Sequence, residues 1–154
     1  MTSVTNITNV TTTYLALGSN VGDRAANLQR ACDLLAQNKG IKIVARSAIY
    51  ESQSVEGGGP GDFLNAALRV ETTLSAWQLL DLTNAVETTL GRPQPPRNGP
   101  RLIDIDILMF GDEHIDAPEL QIPHPRMLRR AFVLCPLCDV LEGGWIKKSN
   151  ESWG

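Results

Sequence analysis

The chain lacks any apolar run approaching the roughly eighteen residues that cross a bilayer, so it offers no membrane-spanning helix. It also lacks an excess of positive charge. Fourteen Lys and Arg stand against seventeen Asp and Glu, a net charge of −3, so there is no basic footprint for nucleic acid. Its first thirteen residues, MTSVTNITNVTTT, contain no Lys or Arg. They therefore have neither the charged start of a signal peptide nor the arginines of a transit peptide. The expectation is a disordered tail over 1–13, then a single cytoplasmic domain over 14–154 acting as a monomer. Cysteine is scarce too, with three residues, an odd set that cannot form a closed disulfide framework. Cys135 and Cys138 make a C-x-x-C, which invites a thiol-redox reading, but they lie in the apolar run AFVLCPLCDVL. Buried small hydrophobes are the expected role.

What is present is an alternation of strand and helix signals. TYLALGSN (13–20) reads as a strand entering a turn, with Asp23 capping a helix on which Leu28, Ala31, Leu34 and Leu35 recur at helical spacing. IKIVARSAIYES (41–52) reads as one strand and FLNAALRVETT (63–73) as another, across the Gly-rich loop VEGGGPGD. Ser75 caps a helix from Ala76 to about Leu90 that carries Trp77, Leu80, Ala85 and Val86 as core candidates, and Gly91 ends it. RPQPPRNGPR (92–101), with four prolines, is irregular, and a strand follows it. EHIDAPELQIPHP then holds one short strand, and a last helix begins between Arg126 and Arg130. The order β-α-β-β-α-β predicts a ferredoxin-like α+β sandwich with an antiparallel sheet and additional C-terminal strand and helix elements.

The strand RLIDIDILMFG (101–111) is the most informative segment. Strand side chains alternate, so Asp104 and Asp106 share one face while Ile103, Ile105 and Ile107 take the other. Two carboxylates side by side on an apolar strand repel one another, which calls for a positive partner. Hard divalent cations such as Mg²⁺ take carboxylate oxygens and complete their shell with water and substrate phosphate. The alternative is a solvated strand face. Six of the ten arginines, Arg92, Arg97, Arg101, Arg126, Arg129 and Arg130, fall between 92 and 130, where there is no lysine. Guanidinium forks suit phosphate oxygens. Arg92, Arg97 and Arg101 punctuate a loop leading into the aspartate strand and read as phosphate-binding groups on a lid, whereas Arg126 and Arg129 equally suit a basic surface. His124, held between prolines in IPHP, is a further phosphate candidate, and His114 an exposed residue. GSNVGD lacks both a dinucleotide fingerprint and a P-loop lysine, and reads as a plain turn.

GPRLIDIDILMFG, with LGR before it and IPHP and RRAF after it, resembles the signature of the 6-hydroxymethyl-7,8-dihydropterin pyrophosphokinase family. The likeness extends to YLALGSNVGDR, SAIYES and DFLNAAL, so it covers about residues 14 to 140. The resemblance implies transfer of diphosphate from MgATP to the pterin's hydroxymethyl group, with AMP released, on a ferredoxin-like fold. It implies that Asp104 and Asp106 hold two Mg²⁺ ions, and that Arg92, Arg97 and Arg101 hold phosphates. Glu87, His124 and Arg130 would contact the nucleotide. Phe63 and Phe132 would stack on the pterin, while Asn65 and the segment at Ser52 and Val55 would read its edge. Without the family, Phe63 and Phe132 read as core. The chain departs from the family pattern at Asn98, where many members have Trp, at Ser52-Gln53-Ser54 in place of Thr-Pro-Pro, and at Phe63, often Tyr. Asn84 stands where a longer polar side chain commonly meets the nucleotide. Rival readings are a nucleotide- or pterin-binding module without catalysis, a metal-dependent phosphohydrolase, and a thiol-redox protein.

Overall fold

The structure, a computed structural model, describes residues 9–52, 62–91, 102–127 and 129–141. Its elements are β1 (Thr11–Ser19), α1 (Arg24–Ala36), β2 (Ile41–Arg46), β3 (Tyr50–Ser52), β4 (Phe63–Thr72), α2 (Ala76–Thr89), β5 (Asp104–Phe110), β6 (Ile115–Asp116), β7 (Gln121–Ile122) and α3 (Ala131–Val140). The main sheet runs β2-β4-β1-β5 with every neighbour antiparallel, and β3 extends the β4 edge. This is the ferredoxin-like order, with a β6–β7 hairpin and α3 added after it.

Period-two patterning gives the sheet two different faces. Leu15, Leu17, Ala66, Leu68, Ile105 and Ile107 point to one side and pack with Leu28, Ala31, Leu35, Leu79 and Val86 of α1 and α2. The other side carries a smaller cluster, in which Ala67 and Leu108 meet Leu137 and Val140 of α3. β5 changes phase within itself. Tyr14 pairs with Met109 but Leu15 with Ile107, so Leu108 is a bulge residue and Phe110 returns to the helix side beside Thr13.

Both long helices start where their caps lie. Asp23 accepts from the Ala26 amide, and Ser75 and Gln78 form a reciprocal capping box. The buried stripe of α2 is Ala76, Leu79, Thr83, Val86, Glu87 and Leu90. Trp77 and Ala85 are therefore not core residues, since they lie off this phase, and Trp77 is 44% exposed. Other expectations are also corrected. β1 begins at Thr11, inside the expected tail, because Thr13 is fully buried and donates its hydroxyl to the Met109 carbonyl. The strand expected over 41–52 breaks at Ser47, whose Oγ takes the Ala67 amide that a continuing ladder would occupy. The segment expected to hold one short strand forms the two-stranded β6–β7 hairpin. The last helix starts at Ala131, after turns closed by Met127 N–H to His124 O and Arg129 N–H to Arg126 O. Cys32 is buried, but Cys135 is exposed and Cys138 half-buried, so the C-x-x-C is not a pair of core residues.

α3 is pinned to the sheet edge by polar contacts as well as apolar ones. Asp139 accepts from the Tyr50 hydroxyl at 2.8 Å and from the Ala48 amide at 3.1 Å, and Arg69 donates to the Val140 carbonyl. Burial, then the hydrogen bond to Asp139 and its charge, push the Tyr50 hydroxyl up to about 12. A raised folded pKa stabilises the protein below the ordinary tyrosine value, about 10, and that contribution is lost as pH rises through the folded value. Tyr50→Phe should therefore lower the urea midpoint at neutral pH, and its gap from the parent should close between about pH 10 and 12. A gap that stays constant across that window would show that Tyr50 does not donate to Asp139.

Candidate active site

Strand register across β4, β1 and β5 builds the open face. Asn65 pairs with Gly18, and Gly18 pairs with Asp104, so the three lie in one row across the sheet. The next row is Ala67, Ala16 and Asp106. The two aspartates thus stand on a floor of small residues from β1. Asp106 is exposed and Asp104 half-buried, while Ile103, Ile105 and Ile107 are buried on the helix side, as alternation predicts. Two carboxylates two positions apart on a strand are about 7 Å from each other. Their repulsion is roughly 0.6 kcal/mol in bulk water and roughly 2 kcal/mol at an effective dielectric constant of 20.

Asp106 also lines a cavity of about 410 Å³ with Leu80, Ile107, Leu120, His124 and Arg126. The cavity is lined by polar and apolar side chains together. His124 is fixed there through its backbone, whose N–H donates to the Leu108 carbonyl at 2.8 Å. Its Nδ1 accepts from the Arg126 amide at 3.2 Å, so the neutral ring carries its proton on Nε2. His114, as expected, is exposed.

At the β4 end, Asn65 is 6% exposed and its Nδ2 donates to Ser52 Oγ at 2.8 Å and to the Tyr50 carbonyl at 3.3 Å. Its Oδ1 lies toward Gly18, 3.6 Å from where a β-carbon would sit. Phe63 is half-buried, and its Cδ1 lies 3.5 Å from that same point. Phe132 is half-buried in the first turn of α3, and the Arg130 guanidinium sits 5.5 Å from its ring centre, a cation–π contact. Glu87 is buried beneath the aspartate strand, its Oε2 accepting from the Ile105 amide at 2.7 Å. Val55, Arg92, Arg97 and Arg101 lie outside the described residues, as does Asn98. The stems of the arginine segment do meet. Gly91 takes φ +98° and Leu102 packs against it, 2.9 Å from the position of a β-carbon.

Two residues of this region escape a reading of the sequence alone. Gly18 leaves room between Asn65 and Asp104, and its only sequence signal is a glycine ending an apolar strand. Arg24 donates to Glu51 Oε2 at 3.2 Å and to the Asp62 carbonyl at 2.6 Å, tying together the residues just before Ser52 and Phe63. No local pattern announces that tie.

Among the described residues, no group of three or more His, Cys, Asp or Glu could hold a metal by itself. Two carboxylates on one strand are nevertheless a suitable donor set for Mg²⁺ carried in with phosphate, since that ion keeps waters and substrate oxygens in its shell. They do not suit a soft metal.

Residues 14–142 match the model of the 7,8-dihydro-6-hydroxymethylpterin-pyrophosphokinase family. The chain belongs to this pyrophosphokinase family. It is 43% identical over 129 residues to the 2-amino-4-hydroxy-6-hydroxymethyldihydropteridine pyrophosphokinase of Bacillus subtilis, covering 84% of this chain and 77% of that one. Against the enzyme of the same name from Methylorubrum extorquens it is 42% identical over 131 residues, covering 85% and 83%. The crystal structure of Plasmodium falciparum HPPK-DHPS A437G with pteroate superposes with a TM-score of 0.61 at 16% identity, covering 87% of this chain and 38% of that one. That likeness supports the fold.

Within the pyrophosphokinase fold, Gly18 is the residue whose change most cleanly separates site from scaffold. A β-carbon there makes ordinary contacts at 3.5 Å and 3.6 Å with Phe63 and Asn65, so the strand tolerates it. Gly18→Ala should leave the melting temperature unchanged or slightly raised and increase the pterin KM roughly tenfold. An unchanged KM would show that the space over Gly18 is not used by substrate.

Proposed function

We infer that this chain transfers the β,γ-diphosphoryl group of ATP to the hydroxymethyl oxygen of 6-hydroxymethyl-7,8-dihydropterin, a step of folate biosynthesis. The observation that carries the reading is the row Asn65–Gly18–Asp104, with Asp106 beside it opening on a cavity of about 410 Å³. A pterin-reading amide and a phosphate-activating carboxylate pair would then flank one gap. In the reaction the hydroxymethyl oxygen bonds to the β-phosphorus, the bond from that phosphorus to the α,β-bridging oxygen breaks, AMP departs, and the hydroxyl proton passes to water.

Phosphoryl transfer of this kind needs positioning and charge neutralisation rather than a protein nucleophile. Two Mg²⁺ ions bound with ATP would supply neutralisation of the triphosphate and acidification of the attacking hydroxyl. Asp104 and Asp106 would hold them. His124, whose Nδ1 is already committed to the Arg126 amide, would donate from Nε2 to a phosphate oxygen. Arg92, Arg97, Arg101 and Arg130 would carry the remaining phosphate charge. Leu80, Ile107 and Leu120 would give the nucleotide an apolar wall. Phe63 and Phe132 would stack on the pterin ring. With its Nδ2 held by Ser52 and Tyr50, Asn65 would offer Oδ1 to a pterin N–H.

The test is to incubate the purified chain with Mg²⁺, ATP and the hydroxymethyl pterin and to separate the nucleotides by chromatography. AMP should appear only when the pterin is present, matched by pterin diphosphate. Asp104→Asn should lower that turnover roughly a hundredfold or more while leaving the melting temperature unchanged or raised, because it relieves a repulsion. Phosphate or diphosphate released without the pterin would indicate a phosphohydrolase instead. Full turnover by Asp104→Asn would remove the metal assignment.

A further inference from the structure

β5 is the outer strand of the sheet beyond β1, so part of its backbone faces away from the ladder. At Ile105 the amide is taken by a side chain from the helix layer. Glu87 Oε2 accepts it at 2.7 Å, and Glu87 is 5% exposed. Ile105 stands between Asp104 and Asp106, and its amide belongs to the peptide unit that begins at the Asp104 carbonyl. Fixing that one peptide plane therefore sets the backbone from which both carboxylates project. A carboxylate is costly to bury, and a neutral acceptor would satisfy one amide at lower cost. The acceptor oxygen at 2.7 Å holds a strand edge that must stay in place when like charges above it attract or release cations.

We propose that Glu87 is a positioning residue that holds Asp104 and Asp106 in register through the Ile105 amide, preparing the pair for metal-bound ATP. The role rests on the metal assignment made above. It differs from a direct nucleotide contact, because Glu87 would act through β5 from the buried side. Glu87→Gln keeps an acceptor in the same place without the charge. Glu87→Ala removes it and leaves the amide without that partner.

The first readout needs neither metal nor turnover. In the protein without nucleotide, the Ile105 amide proton should resonate downfield and exchange slowly. Glu87→Ala should speed its exchange at least about tenfold, with Glu87→Gln close to the parent. In the assay, Glu87→Ala should lower kcat roughly tenfold or more and raise the Mg²⁺ concentration for half-maximal rate. The pterin KM should stay within about twofold, and Glu87→Gln should recover most of kcat. A raised ATP KM with unchanged kcat and Mg²⁺ dependence would overturn the proposal in favour of a nucleotide contact. A lowered melting temperature with unchanged kinetics would reduce Glu87 to scaffold. If Glu87→Ala does not fold, an unprotected Ile105 amide in the parent, or a Glu87→Gln variant with kcat lowered tenfold or more, would also overturn it. Asp104→Asn run in parallel separates the two ideas. Its full activity would defeat the metal reading, whereas the Ile105 exchange still reports whether Glu87 holds the strand.

Discussion

The ladder that β1 makes on both of its edges sets everything on the open face. β1 pairs with β4 over its whole length and with β5 over its latter part, and those two registers bring residues 65, 18 and 104 into line. A slip of one residue on either side would turn every side chain of the slipped strand to the other face, and a slip of β5 would send both aspartates into the helix layer. The slip is opposed by the core itself, because the slipped strand's own core residues would leave it, Ile105 and Ile107 for β5 and Ala66, Leu68 and Val70 for β4. Burial of roughly 1.5–3 kcal/mol per large aliphatic side chain far exceeds the repulsion between two partly solvated carboxylates. The apolar face of the sheet thus fixes the position of the polar face.

The same logic explains why the site is distributed over the chain. β1 supplies the small floor, β4 the amide and an aromatic ring, β5 the carboxylates, and the turn after β7 the histidine. Several of these segments are tied by polar contacts from the helices. Glu87 reaches β5 from α2, Asp139 of α3 holds Tyr50 on β3, and Arg24 at the start of α1 joins the residues preceding Ser52 and Phe63. These ties are polar and directional, so they specify position where apolar packing alone would tolerate small shifts.

Much of this was legible along the chain. Period two in DIDI announced the carboxylate pair and its face, and Asp23 and Ser75 announced where the two long helices begin. What local pattern could not carry was anything set by pairing between distant strands. Gly18 gains its meaning from residues 65 and 104, and Glu87 from an amide eighteen positions away in sequence. The bulge at Leu108 and the break at Ser47 are likewise answers to a partner strand. α3 was placed too early because the residues after IPHP close two turns before a helix can begin, and its N-cap, Arg130, offers no side-chain cap. Cys135 was misjudged because an apolar run around a ten-residue helix does not say which positions face the sheet.

The row across the three strands can be measured directly with Mn²⁺ in place of Mg²⁺, together with an ATP analogue whose α,β-bridge is methylene. A cation held by Asp104 lies about two strand spacings, about 10 Å, from Asn65. Paramagnetic broadening should then erase the Asn65 side-chain amide resonance, and the double replacement of Asp104 and Asp106 by Asn should restore it. An Asn65 resonance that stays sharp with Mn²⁺ and nucleotide bound, or broadening indifferent to both aspartates, would contradict the shared row.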